Sequence, residues 1–292
     1  MTENWFHPRG SLARDGWQTV VDGSLPGWQH TGLRIGDAGS FELPGADVER
    51  MVVPLDAISV VIEHAGGRVE LAGRASVFDG PADVAYLGIG TAATISSDGR
   101  FAVAEAPATE RLPVGVLRAG EIPVELRGAG SSTRQVHNFG TPGALAAQKL
   151  IVCEVITPAG NWSSYPPHKH DTDVPGHESR LEEIYWFEAG AAKTPVPEAL
   201  EGFGMFAAYS SPGHEIELDA RVHTGDVALI PHGYHGPAAA APGYDLYYLN
   251  VMAGPDPDRV WNITDDPAHA WVRSTWNDEH PDPRLPYRKA NR

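Results

Sequence analysis

Cysteine is almost missing from this chain: one residue, Cys153, in 292. A lone thiol closes no intramolecular disulfide and builds no cysteine-based zinc ribbon, which suits a reducing compartment. Long apolar runs are missing too. No stretch approaches the ~20 residues a membrane span requires, and the opening MTENWFHPRG lacks the basic-then-apolar order of a secretory signal. The expected location is the cytoplasm, without membrane attachment. Positive charge is in deficit, 22 Lys and Arg against 38 Asp and Glu, for a formal net charge of −16. Nucleic acid selects a basic face, so the balance argues against that partner. An anionic small molecule would need local positive charge that the global sum conceals.

Glycine and proline are plentiful instead, at 32 and 25 residues. They punctuate short apolar runs, the pattern of an all-β protein. Residues 17–52 read as short strands between turns, and Ala57–Leu71 reads as a hairpin turning at Ala65-Gly66-Gly67. The same rhythm continues through RASVFDG, ADVAYLGIG and RFAVAEA at the spacing of a sandwich or barrel. The segment 127–148 is small, polar and glycine-rich, as a linker should be, yet it carries Arg134, His137 and Asn138. Strand rhythm resumes at Lys149 and runs to Met252. The expected division is a β-domain over 1–130, a linker over 131–148, a second β-domain over 149–253 and a tail over 254–292. The tail holds Trp261, Trp271 and Trp276 and one short helix within DPAHAWVRSTW. Exposing three indoles is costly, so the tail should pack on the β-domains or on a second copy of the chain in a homo-oligomer.

The densest chemistry lies in PPHKHDTDVPGHESRLEEIYWF, residues 166–187. Side chains two apart on a strand share a face, so His168 and His170 look the same way, as two ligands of one ion must. A double carboxylate, Glu182-Glu183, follows, and a further imidazole, His235, arrives within IPHGYHGP. Imidazole plus carboxylate suits Zn, Mn or Fe. The first half has no His-x-His pair and is expected to act as a scaffold without metal.

The order Gly160, His168, His170, Glu183, Gly190, then Gly225, Pro231, Gly233 and His235, resembles the cupin pattern. That resemblance implies a His₃Glu site made by His168, His170, Glu183 and His235, with Glu183 preferred to Glu182 by its spacing to Gly190. Two departures stand out. Twelve residues separate His170 from Glu183, which reads as an insertion over Asp171–Ser179, and one residue rather than two separates Gly233 from His235. More specifically, SSYPPHKHDTDVPGHESRLEEIYWF, IPHGYHGP, YYLNVMAG and DDPAHAWVR, with RASVFDG and SSTRQVHNF, resemble the 5-deoxy-glucuronate isomerase family of inositol catabolism. The likeness covers nearly the whole chain. It implies a bicupin of two β-barrels, related to ketol-isomerases of 4-deoxy-hexulose uronates. It also implies one divalent metal ion, no organic cofactor, and conversion of 5-deoxy-D-glucuronate to 5-dehydro-2-deoxy-D-gluconate.

An aldose–ketose isomerase needs a metal with open positions, a base and an anion clamp. Glu178 and His177, in the insertion, are the base candidates, and Arg180 is the preferred clamp because its planar fork fits a carboxylate. Arg134 is a second cation for substrate. Lys169, between two ligands, should point away. Parity puts Tyr185 on Glu183's face, and Tyr234 beside His235 is placed at the rim. Alternatively, Glu178 is a solvated loop carboxylate and Arg180 pairs with Glu182 or Asp171. The competing functions are a metal-dependent cupin dioxygenase and a non-catalytic sugar-binding bicupin.

Overall fold

The computed structural model describes residues 5–192 and 201–287, so the outermost positions of the first domain and of the tail, 1–4 and 288–292, lie outside the described residues. Four antiparallel sheets stack as four layers. A four-stranded sheet holds Gly39–Leu43, Ala93–Ser97, Ser59–His64 and Gly67–Ala72; a six-stranded sheet is centred on Val48–Pro54, Phe101–Pro107 and Gly32–Gly36. Alternation sends Val52, Phe101 and Val103 against Val60, Ile62 and Ile95, closing the first barrel. The expected hairpin is there, with Ser59 opposite Ala72 and His64 opposite Gly67.

In the second barrel a seven-stranded sheet runs Phe6–His7, Val227–Ile230, Glu182–Ala191, Tyr244–Ala253, Ile151–Thr157, Arg134–Gly140, Val124–Arg127. It faces a sheet containing His214–Val222, Gly204–Ser211, Tyr234–Ala240, His168–Lys169 and Thr264–Asp265. Tyr185, Phe187, Tyr248, Phe206 and Leu218 fill the space between them. The opposite face of the seven-stranded sheet, with Val152, Ile184, Trp186 and Leu249, packs on Leu33, Ile35, Met51 and Val53 of the first half. The two barrels therefore stand back to back through their larger sheets.

The segment expected as a linker contains a buried strand. Arg134–Gly140 pairs with both Val124–Arg127 and Ile151–Thr157. Its polar letters hid the alternation because both of its faces are buried: Val136 enters the second core, while Gln135 and His137 meet a polar cluster between the barrels. There Arg74 of the first half donates through both Nη atoms to Glu154 at 2.7 and 2.6 Å. Tyr247 Oη–H donates to the same carboxylate at 2.8 Å, and His137 Nδ1–H does so at 2.6 Å. Gln135 donates to His137 Nε2 and accepts from the backbone N–H of Tyr287 in the tail. RASVFDG, SSTRQVHNF and the tail thus join in one polar cluster around Glu154, the tail through Gln135.

The tail is mostly irregular, with one helical turn at Val272–Thr275. Trp261 and Trp276 are half-buried, covered by Arg127 at 5.0 Å and by Arg134 and Arg273 at 5.8 and 5.3 Å. Trp271 departs from expectation and is 64% exposed. Among the described residues no helix is long and apolar enough to cross a membrane.

Candidate metal centre

The centre forms between the two sheets of the second barrel. His168 and His235 sit directly opposite each other on paired strands, and Glu183 projects from the facing sheet, where it pairs with Ile230 and Met252. His170 Nε2 lies 2.9 Å from Glu183 Oε2, and His235 Nε2 lies 3.0 Å from that same oxygen. Among the described residues, His170, Glu183 and His235 are grouped so that one ligand atom from each lies within 4.8 Å of the others. His168 borders this group, its ring 4.6 Å from that of His235 and 6.3 Å from that of His170.

Backbone carbonyls set the imidazoles. His170 Nδ1–H donates to Leu181 O at 3.1 Å, His235 Nδ1–H to Gly233 O at 3.1 Å, and His168 Nδ1–H to Pro166 O at 3.3 Å. With the proton on Nδ1, each Nε2 carries a lone pair. Two lone pairs then face one carboxylate oxygen, an arrangement that a cation between them would relieve. Protonating the imidazoles would supply one, but burial opposes two adjacent imidazolium ions. A single divalent ion satisfies all the donors, and carbonyl-anchored imidazoles are the usual supporting arrangement for such an ion. His235 Nε2 is fully buried and has no hydrogen-bond partner among the described residues. The donor set fits Zn, Mn or Fe.

Charge follows the same logic. Burial would raise the Glu183 carboxyl, but the His170 and His235 imidazoles beside it hold it down at about 2. Burial and the neighbouring His235 and His170 keep His168 well below its usual value, hence neutral and able to ligate.

Glycine is required at Gly236. Its φ is +86°, and a Cβ there would lie 1.8 Å from Ser164 O. The Gly233–Gly236 turn and the Ser164–Pro166 segment can approach closely only without side chains between them. Asp171, which sequence reasoning left as an ion-pair partner, ties the insertion to this turn. It accepts from Gly233 N–H, Ser211 Oγ–H and Lys169 Nζ–H. Burial works against this carboxylate, but those donors hold it well below the usual range.

The insertion itself departs from its expected use. Glu178 is buried, and its Oε1 accepts from Lys169 Nζ at 2.7 Å and from the Asp171 and Thr172 backbone N–H groups at 3.0 Å each. That is a latch across the loop, not a base facing the ligands. His177 is exposed, and its backbone N–H closes a turn on Val174 O. Arg180 is half-exposed and pairs at 2.8 Å with Asp256, neither of its expected partners and away from the ligands. Lys169 points to Asp171 and Glu178, away from the centre, as parity requires. Glu182 faces the first half, where the amides of Gln29 and His30 cradle its carboxylate. The Tyr234 ring packs at a tilt against that of Tyr209, with centroids 5.6 Å apart.

Tyr185 does look inward, its ring 6.1 Å from His235. Its hydroxyl meets Ser164 Oγ at 3.2 Å, and Ser164 Oγ meets the Tyr248 hydroxyl at 3.1 Å. Sequence reasoning missed Ser164, Tyr248 and Asn250. Asn250 stands opposite Tyr185 and Cys153 on the same interior face, with a buried Nδ2 that has no partner among the described residues. A polar residue at an inward position of the otherwise apolar Leu246–Met252 alternation was the available signal.

The KduI/IolB family model matches residues 5–272. The chain is 45% identical over 176 residues to a protein of Geobacillus kaustophilus named 5-deoxy-glucuronate isomerase, a match covering 60% of this chain and 59% of that relative. The crystal structure of an IolB-like protein from Salmonella typhimurium superimposes with a TM-score of 0.82 at 35% identity, covering 92% of this chain and 99% of that one. An oxalate decarboxylase of Bacillus subtilis matches at a TM-score of 0.58 and 12% identity, covering 91% and 80%, a likeness of fold alone. The back-to-back barrels are a bicupin, and with a family match running through the ligands and both barrels, the chain belongs to the KduI/IolB family.

Proposed function

We propose that this chain is a metal-dependent aldose–ketose isomerase that converts 5-deoxy-D-glucuronate to 5-dehydro-2-deoxy-D-gluconate, a step of myo-inositol catabolism. The observation that carries the reading is the Glu183 oxygen flanked by two imidazole nitrogens whose protons are committed to backbone carbonyls. The name of the Geobacillus relative supports the substrate. His170, Glu183 and His235 would hold the ion, with His168 beside them. When bound, a divalent ion polarises a carbonyl and acidifies its neighbouring groups.

The chain's own residues supply orientation and proton handling. Burial pushes the Tyr248 hydroxyl up to about 12 and the Tyr185 hydroxyl well above its ordinary value, so both are protonated donors at neutral pH. Isomerisation moves a hydrogen from C2 to C1 and a proton from one sugar oxygen to the other. The continuous path Tyr185–Ser164–Tyr248 suits the second transfer, since each hydroxyl can both donate and accept. Asn250 Nδ2 offers a further donor to a sugar oxygen.

The test is metal analysis of the purified protein, then NMR of 5-deoxy-D-glucuronate under nitrogen with wild type, chelator-treated protein and His170→Ala. Wild type should hold stoichiometric metal and form the ketose, while the other two should not. Equal conversion by His170→Ala would sink the reading, and oxygen-dependent turnover would indicate an oxygenase instead.

A further inference from the structure

Arg134 is a buried cation with no carboxylate in ion-pair contact among the described residues. Its residue surface is 8% exposed. The neighbouring arginines are neutralised, Arg127 by Glu125 at 2.9 Å and Arg273 by both oxygens of Asp265. Arg134 has only carbonyl partners, from Nη1 to Ser132 O at 3.3 Å and to Tyr165 O at 3.4 Å. Its Nε–H and both Nη2–H groups have no protein acceptor among the described residues. Burying such a group unpaired is costly, and a fork of free N–H donors matches a carboxylate. In a chain of net charge −16 the placement is unusual.

Its surroundings form a site. Arg134, two positions from Val136, shares its face and so looks toward the interior of the second barrel. Trp276 of the tail lies against the guanidinium at 5.8 Å. A cleft of about 260 Å³ opens nearby, lined by its contacts Ser132, Tyr165 and Trp276 together with Ser131 rather than by Arg134 itself, with exposed Glu279 at its edge. Burial and the nearby Arg127 and Arg273 bring Arg134 down to about 10, so it is charged at neutral pH. Tyr165, whose carbonyl it touches, precedes His168 by three positions; at roughly 3.3 Å per extended residue that is within about 10 Å. A uronate carries its carboxylate at the opposite end of the carbon chain from the isomerising C1 and C2, so its receptor must be set back from the metal-binding histidines.

We propose that Arg134, backed by Trp276, is the receptor for the carboxylate of a sugar-acid substrate. This rests on the isomerase reading for the identity of the acid. It moves the anion clamp from the inserted loop to a strand of the barrel wall and makes the tail part of the binding site.

The test separates binding from turnover. D-gluconate, an open-chain acid with no aldehyde to isomerise, and D-glucitol, its uncharged counterpart, are titrated into metal-loaded wild type, Arg134→Gln and Arg134→Lys, read by calorimetry and tryptophan fluorescence. Wild type should favour gluconate, and Arg134→Gln should lose roughly 10- to 100-fold in gluconate affinity with glucitol unchanged, the range for hydrogen bonds to a charged group. Arg134→Lys, which keeps charge without the fork, should fall between them, and it decides the matter if Arg134→Gln does not fold. On 5-deoxy-D-glucuronate the loss should fall on KM more than on kcat. Gluconate bound no better than glucitol by wild type, or equally well by wild type and a folded variant, overturns the proposal. If wild type binds gluconate through Arg134 but leaves 5-deoxy-D-glucuronate unchanged, the isomerase reading fails and the receptor stands.

Discussion

Glu154→Gln should uncouple the two barrels. In the wild type the Glu154 carboxylate accepts four hydrogen bonds, two from Arg74 and one each from His137 and Tyr247, and all of these groups are buried. The amide keeps the shape but turns an NH₂ group toward donors and leaves Arg74 an uncompensated buried cation. Breaking a buried pair from one side costs about 3–5 kcal/mol. Acid should reproduce part of that loss. Burial would raise the Glu154 carboxyl, but Arg74 and then His137 hold it down to about 2 from an ordinary 4.5. A carboxylate depressed in the folded state contributes stability above its unfolded pKa and loses it as pH falls through the folded one. The window is therefore about pH 4.5 to 2, and the stability lost across it is on the order of 3 kcal/mol at 1.36 kcal/mol per unit. Guanidinium unfolding as a function of pH measures both effects. Wild type should show a steeper acid limb than Glu154→Gln, which keeps only the contributions of other depressed carboxylates such as Glu183 and Asp171. Parallel acid limbs, or a variant within about 1 kcal/mol of wild type at pH 7, would refute the coupling.

Glu178→Gln tests latch against base. A latch predicts kcat within about tenfold of wild type with a lowered Tm, whereas loss of a general base would cost roughly 10²–10⁴-fold in rate at unchanged stability. Gly236→Ala should reduce bound metal and destabilise the fold, because its Cβ would meet Ser164 O at 1.8 Å in a left-handed conformation. Full metal occupancy with an unshifted Tm would show that the turn does not need that glycine.

Alternation carried most of what could be read in advance. It separated Glu183 from Glu182, and the two carboxylates do face opposite sides of the sheet, one toward imidazoles and the other toward the backbone of residues 29–31. It sent Lys169 away from the centre and Tyr185 toward it. It failed where both faces of a strand are buried against polar groups. Arg134–Gly140 reads as linker because one side meets the interbarrel carboxylate and the other carries a lone cation. The insertion was legible as an insertion, but its chemistry was not. Whether Glu178 turns to Lys169 or Arg180 to Asp256 depends on a fold that brings residues 180 and 256 together, and no local pattern encodes that.

Phe6 and His7 pair with Ala228 and Val227 on the outer edge of the sheet that bears Glu183, and Arg9 N–H caps Asp226, 217 positions away. During synthesis this segment must leave the ribosome long before its partner exists. Until then it is an unpaired strand in search of an edge, and the barrel that later receives it has an open one. Such long-range closure is slow, and open edges invite pairing with other chains. Translation pauses, N-terminal fusions and trimming of the first few residues therefore become variables in how much well-assembled protein a cell obtains, apart from any effect on the finished site.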